Sequence, residues 1–148
     1  MSDDLYQARI GDHDRAPRHH GPLAGATHAA TIDNPLCGDE ITVRLIVDGD
    51  RVQAIAFEGH GCALSRAAAS MMSERAAGAT IAELTALAAR FTQFVQESID
   101  APIDPPAATT GVALGDLAAF RGVRRARSRR TCATLPFRAL LAALATPP

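Results

Sequence analysis

Asn34-Pro35-Leu36-Cys37-Gly38-Asp39-Glu40-Ile41 is the stretch on which the reading of the chain turns. Pro35 disfavours helix at Asn34 and sets an extended entry to a turn. Gly38 gives that turn a permissive backbone between Cys37 and Asp39. The turn leads into Ile41-Thr-Val-Arg-Leu-Ile-Val47, where Ile41, Val43, Leu45 and Val47 alternate on one face of a strand. Upstream, residues 26–33 form a candidate first strand. Downstream, Asp48-Gly49-Asp50 is a hairpin signal, and Val52, Ala54 and Ala56 alternate with Ile55 and Phe57 in the return strand. A meander of three antiparallel strands follows.

Helical patterns flank this sheet. Residues 4–14 carry a weak one, with Leu5, Ala8 and Ile10 apolar. The breaker-rich segment 15–22 then reads as loop, and His13, His19 and His20, in or beside it, read as solvated loop histidines. Gly59-His60-Gly61-Cys62 ends the sheet. Leu64, Ala67, Ala68, Met71 and Met72 form a helical stripe over 63–77, which Gly78 stops. Thr80-Ile-Ala-Glu83 is a capping box, opening a second helix with Ile81, Leu84, Ala88, Phe91 and Val95 on one stripe and an end near Ser98. Residues 99–111 contain Pro102, Pro105 and Pro106 and read as a long surface loop. A short helix is expected over 114–120, and a last one through Cys132 to about Ala145. The expected fold is α+β: a three-stranded antiparallel sheet packed against several α-helices, with a site at one rim.

The 148 residues fit one domain spanning 1–148. At 47% hydrophobic the chain can bury a core, and with aromatics at 4%, Ala, Leu, Ile and Val must do the packing. A formal charge of −1 gives no steer toward nucleic acid or a membrane surface. No apolar run approaches the ~20 residues that span a bilayer, and the acidic start, Met1-Ser2-Asp3-Asp4, lacks a signal-peptide core. A cytoplasmic location is expected, where thiols stay reduced. Six arginines fall in Arg121–Arg130. The readings of that run are a solvated charged segment, docking to an acidic partner, and, last, nucleic-acid contact, which lacks aromatic interleaving.

Cys37, Cys62 and Cys132 are the three cysteines of the chain, an odd and widely spread set that suits metal or thiol chemistry better than disulfides. Cys62 sits where a glycine-rich strand end meets a helix start, a setting that favours thiolate. Cys37-x-Asp39 puts two anionic groups on one short segment. Three thiolates and a carboxylate make a tetrahedral set that suits zinc, and a thiolate-rich set can also hold an iron–sulfur cluster. Three unrelated buried cysteines are the alternative on spacing alone.

Several blocks together resemble one family. They are Asn-Pro-Leu-Cys-Gly-Asp (34–39), Phe-Glu-Gly-His-Gly-Cys-Ala-Leu-Ser (57–65), Ala-Ser-Met-Met (69–72), Leu-Gly-Asp-Leu (114–117), Gly-Val (122–123) and Arg-Arg-Thr-Cys-Ala-Thr-Leu (129–135), with Leu5-Tyr6 and Asp12-His13 before them. The chain is similar over nearly its whole length to the U-type iron–sulfur cluster assembly proteins, the IscU, NifU N-terminal and SufU family, and within it most similar to the SufU branch. The resemblance implies the SufE/NifU-like fold and a zinc site made by Cys37, Asp39, Cys62 and Cys132. It implies a zinc-dependent sulfurtransferase activity, with Cys37 accepting persulfide sulfur from a pyridoxal-phosphate cysteine desulfurase of the SufS type, and downstream iron–sulfur assembly proteins as further partners. The second reading is a scaffold that builds a [2Fe–2S] cluster, or holds iron, on the same ligands. The third is an interaction module with structural zinc.

Several positions depart from the family pattern, among them Ala126-Arg127 where an aromatic-Pro pair is usual and Pro136-Phe137 where a small residue and Trp are usual. Thr131 replaces the His that precedes the last cysteine in the scaffold branch. His60 stands where an acidic or small residue is usual, and reads as a loop histidine, a donor to the ligands, or an extra ligand. Pro136 falls four residues after Cys132, where it can give no hydrogen bond back to the Cys132 carbonyl. A late helix start near Ala133, or a bend at Cys132, is the expected consequence.

Overall fold

In the computed structural model, residues 3–35, 38–101 and 112–146 are described, with side chains from residue 7 onward. The elements run α1 (Asp3–Arg15), β1 (His28–Asn34), β2 (Asp39–Asp48), β3 (Arg51–His60), α2 (Ala63–Ala76), α3 (Ile81–Gln96), a 3-10 segment (Gly115–Arg125) and α4 (Arg127–Ala145). The strands form one antiparallel sheet in the order β1-β2-β3, the meander expected from the sequence. Most of the 99–111 loop lies outside the described residues.

Alternation in β2 sorts its two faces. Ile41, Val43 and Leu45 are buried, while on the other face Thr42 bonds Thr31 at 2.7 Å and Arg44 pairs with Glu58 at 2.8 Å. One departure from strict alternation appears in β3. Ile46 pairs with Ala54 but Val47 pairs with Val52, so Gln53 is an extra residue in the ladder. Such a bulge reverses the facing of the residues before it. Val52 therefore joins Ile55 and Phe57 in the core instead of sharing a face with Ala54.

The helices cover the apolar face. α4 lies against β1 and β2, α2 packs on α4, and α1 packs on α2. Ala133, Ala139 and Ala143 have no exposed surface, so the backbone of α4 can approach its neighbours closely. Four of the five phenylalanines pool around Phe91, which stacks on Phe137 at 4.7 Å and meets Phe120 edge-on at 5.7 Å and Phe94 at 6.3 Å. Thr80 and Glu83 form the expected capping box at the start of α3.

Two further residues differ from their sequence reading. Arg124, inside the arginine run, is buried and not solvated. Its guanidinium donates to the carbonyl of Phe94 in the last turn of α3 and to those of Ser98 and Ala101 beyond it, approaches Glu97, and lies 4.3 Å from the centre of the Phe94 ring. The last carbonyls of a helix have no intrahelical partner of their own, and the forked guanidinium reaches one of them and two from the following loop at once. His13 is likewise no loop histidine. It lies in α1, 4% exposed, with Nδ1 2.7 Å from Ser70 Oγ and Nε2 3.5 Å from Glu74 Oε1. Ser70 Oγ already accepts the Arg18 N–H at 2.8 Å. Its own proton is then free for Nδ1 of a neutral ring.

Burial first, then the nearby Arg18 charge, holds His13 below the ordinary imidazole value. Because the unfolded chain takes up this proton more readily, stability is full above about pH 6.5 and falls as the pH drops through the lowered folded value. Thermal unfolding of the wild type and of His13→Gln, followed between pH 7.5 and 5, is expected to give a shallower acid-side slope in the variant. Identical slopes would show that His13 does not carry this linkage.

Candidate metal centre

The turn between β1 and β2 is tight. Asn34 and Asp39 are register partners, Gly38 adopts φ +75°, and its N–H donates to the Asn34 carbonyl at 2.8 Å. Cys37 lies outside the described residues. Asp39 opens β2 and is buried at 4% exposure. Beside it, β3 ends in Gly59-His60, and Gly61 follows. Gly59 has φ +146°, and a Cβ there would run into the backbone carbonyl of Glu40. This fixes the need for glycine at the strand end that leads to Cys62.

Cys62 is the N-cap residue of α2 and is exposed. Its N–H donates to Asp39 Oδ1 at 3.2 Å. Cys132 lies in the second turn of α4 and is 8% exposed. One ligand atom each from Asp39, Cys62 and Cys132 falls within 4.8 Å of the others. Two sulfurs on one tetrahedral zinc, each at 2.3 Å, stand about 3.8 Å apart, so a small contraction suffices for the three to share an ion. The donor types fit as well: two sulfurs and one carboxylate oxygen suit zinc and also suit iron in a sulfide-rich cluster. The structure thus brings together three of the four residues singled out in the sequence. His60 is exposed, pairs in register with Glu40, and is not among the grouped donors.

Sequence reasoning missed Ser65. It is fully buried, three residues beyond Cys62 in the first turn of α2. Its Oγ lies 2.8 Å from Asp39 Oδ2, 2.9 Å from the carbonyl oxygen of Cys132 and 3.8 Å from Cys62 Sγ. The i, i+3 spacing from Cys62 was the available signal, since it puts both side chains on one helix face. The expected irregularity in α4 is also corrected. The helix starts at Arg127, not near Ala133, and remains α-helical through Cys132 and Pro136. Ser65 supplies the Cys132 carbonyl with a hydrogen from outside the helix, where Pro136 has none to give.

Known proteins similar to this chain share one family. The family model described as the NifU-like N terminal domain matches residues 5–133. The chain is 37% identical over 139 residues to the zinc-dependent sulfurtransferase SufU of Bacillus subtilis (strain 168), covering 93% of this chain and 88% of that one. It is also 37% identical over 140 residues to the iron–sulfur cluster assembly scaffold protein IscU of Streptococcus pyogenes serotype M1, covering 95% and 82%. Among solved structures, a putative iron–sulfur cluster assembly scaffold protein for the SUF system from Fervidobacterium islandicum AW-1 superposes with a TM-score of 0.80 at 29% identity, over 97% of this chain and 99% of that one.

The close approach at Gly59 can be tested directly. Gly59→Ala is expected to lower stability in urea unfolding by about 2–4 kcal/mol, from backbone strain and the clash with Glu40. A change below about 0.5 kcal/mol, the range of an ordinary surface substitution, would show that the strand end can accommodate a side chain.

Proposed function

This chain belongs to the NifU-like N-terminal domain family, and from that premise we propose that it serves iron–sulfur cluster assembly by accepting persulfide sulfur from a cysteine desulfurase at a zinc centre. The observation that carries the proposal is the grouping of Asp39, Cys62 and Cys132 donors within 4.8 Å of one another at the sheet rim. Cys37, two residues before Asp39, is the fourth ligand in this reading and the sulfur acceptor. When bound, zinc keeps the cysteine sulfurs as thiolates and shields them from oxidation without itself changing redox state.

The residues of the chain then have distinct tasks. Asp39, buried and held through the Cys62 N–H and the Ser65 hydroxyl, is the fixed oxygen donor. Cys132 is held by α4. Cys37 as thiolate attacks the outer sulfur of the partner's persulfide. A new S–S bond forms as the partner's S–S bond breaks, and the electron pair leaves on the partner's cysteine as thiolate. Any proton on the transferred sulfur travels with it, and no external oxidant or reductant enters the balance. Arg125 and Arg129, which line a cleft of about 160 Å³ with Ile10, Leu64 and Val123, support docking of an acidic surface of a pyridoxal-phosphate desulfurase of the SufS type. Downstream iron–sulfur assembly proteins would take the sulfur onward.

A second reading, a scaffold for a [2Fe–2S] cluster, is favoured by the naming of the Streptococcus and Fervidobacterium relatives. Thr131, in place of the His that precedes the last cysteine in the scaffold branch, weighs toward sulfur transfer. Among the described residues no helix is long and apolar enough to cross a membrane.

Alanine release from cysteine by a SufS-type desulfurase, measured with and without this protein, tests the proposal. Wild type is expected to stimulate turnover and Cys37→Ala to lose at least tenfold of that stimulation, because a required nucleophile is gone. Full stimulation by Cys37→Ala would remove Cys37 from the acceptor role. A brown preparation carrying iron and sulfide, with no stimulation by the wild type, would favour the scaffold.

A further inference from the structure

The Ser65 hydroxyl stands between two acceptors. Asp39 Oδ2 is 2.8 Å away on the β2 side and the Cys132 carbonyl oxygen 2.9 Å away on the α4 side. A serine hydroxyl carries one hydrogen, so it can serve only one of them fully at a time. In an uninterrupted helix the Cys132 carbonyl would receive the N–H of the residue four positions on. That residue is Pro136, which has no N–H. The proline thus turns a backbone carbonyl into a competitor for the proton that also steadies a candidate ligand. The site is closed to bulk water on this side, since Ser65 is 0% exposed, Asp39 4% and Cys132 8%.

Resting on the reading that Asp39, Cys62 and Cys132 hold a metal, we propose that Ser65 is the positioning residue of the centre and that Pro136 sets its task. Its one proton is shared between the Asp39 carboxylate and the Cys132 carbonyl, which ties β2, α2 and α4 together at the rim. Drawing negative charge from Asp39 weakens it as an acceptor, and the intact Ser65 hydroxyl then turns to donate to the Cys132 carbonyl. Occupancy of the centre and the seating of α4 on α2 are therefore linked through a single hydrogen. Partners of this kind, which orient ligands without touching the metal, are worth about 10–100-fold in metal affinity.

The test is a double-substitution cycle of Ser65→Ala and Pro136→Ala, read by cobalt(II) titration and by thermal unfolding of the metal-free protein. Ser65→Ala is expected to weaken cobalt binding about 10–100-fold. Pro136→Ala restores an N–H at position 136, which can serve the Cys132 carbonyl from within the helix. In that background the cost of Ser65→Ala is expected to be several-fold smaller, both in cobalt affinity and in the metal-free melting shift. Equal costs in the two backgrounds would overturn the proposal. If Ser65→Ala alone does not fold, addition of Pro136→Ala must recover a folded chain, and a double variant as unfolded as the single one overturns the proposal too. Wild-type protein that binds no cobalt would defeat the metal reading itself. The metal-free cycle still decides the Ser65–Pro136 linkage, so the two failures are distinguishable.

Discussion

Seating of α4 against the sheet and α2 is the constraint on which the site depends. Asp39, Cys62 and Cys132 come from a strand start, a helix cap and a helix interior, and they meet only if those elements keep their relative positions. Packing does most of this. Leu135, Phe137 and Leu140 are buried to within 1%, and each such side chain contributes about 1.5–3 kcal/mol on burial. A single neutral hydrogen bond contributes about 1 kcal/mol net. The apolar face of α4 therefore places Cys132, and Ser65 only trims the last fraction of an ångström. That division explains how α4 stays α-helical across its internal proline. The core holds it, and the lost backbone bond is a small part of the total.

The centre is built asymmetrically. Asp39, Ser65 and Cys132 are sealed beneath the helices, while Cys62 at the head of α2 is exposed. A purely structural metal site gains from closure on all sides. One in which thiol chemistry occurs must leave an approach for a partner's sulfur. Burial of the carboxylate and exposure of a cysteine fit a fixed oxygen donor beside sulfurs that can be reached.

Much of this was legible in the sequence, and for definable reasons. The alternation in β2 was clear because one sheet face is wet, and the capping box at Thr80 and the stop at Gly78 are local codes. The bulge at Gln53 carries no local mark, and it reversed the facing of Val52. His13 was misread because the breakers after it suggested an early loop, whereas its partner Ser70 lies 57 positions away. Arg124 was hidden in a run of like residues, and nothing local marks it as the one that gathers three carbonyls at and beyond the end of α3. At the site, the need of the Cys132 carbonyl for a donor could be read from Pro136. The donor could not, because Ser65 is 67 residues away and only tertiary packing joins them. The ligand set was drawn from the four residues the family pattern marks, and the fold brings the described three together.

Zinc K-edge X-ray absorption of the purified, zinc-loaded protein tests the central claim most directly. A single zinc held by Cys37, Asp39, Cys62 and Cys132 is expected to give a first shell of about three sulfurs near 2.3 Å and one oxygen near 2.0–2.2 Å. In Asp39→Ala the oxygen contribution from the carboxylate should be lost while the sulfur shell remains. A first shell made mainly of nitrogen and oxygen, or one unchanged by Asp39→Ala, would contradict the account.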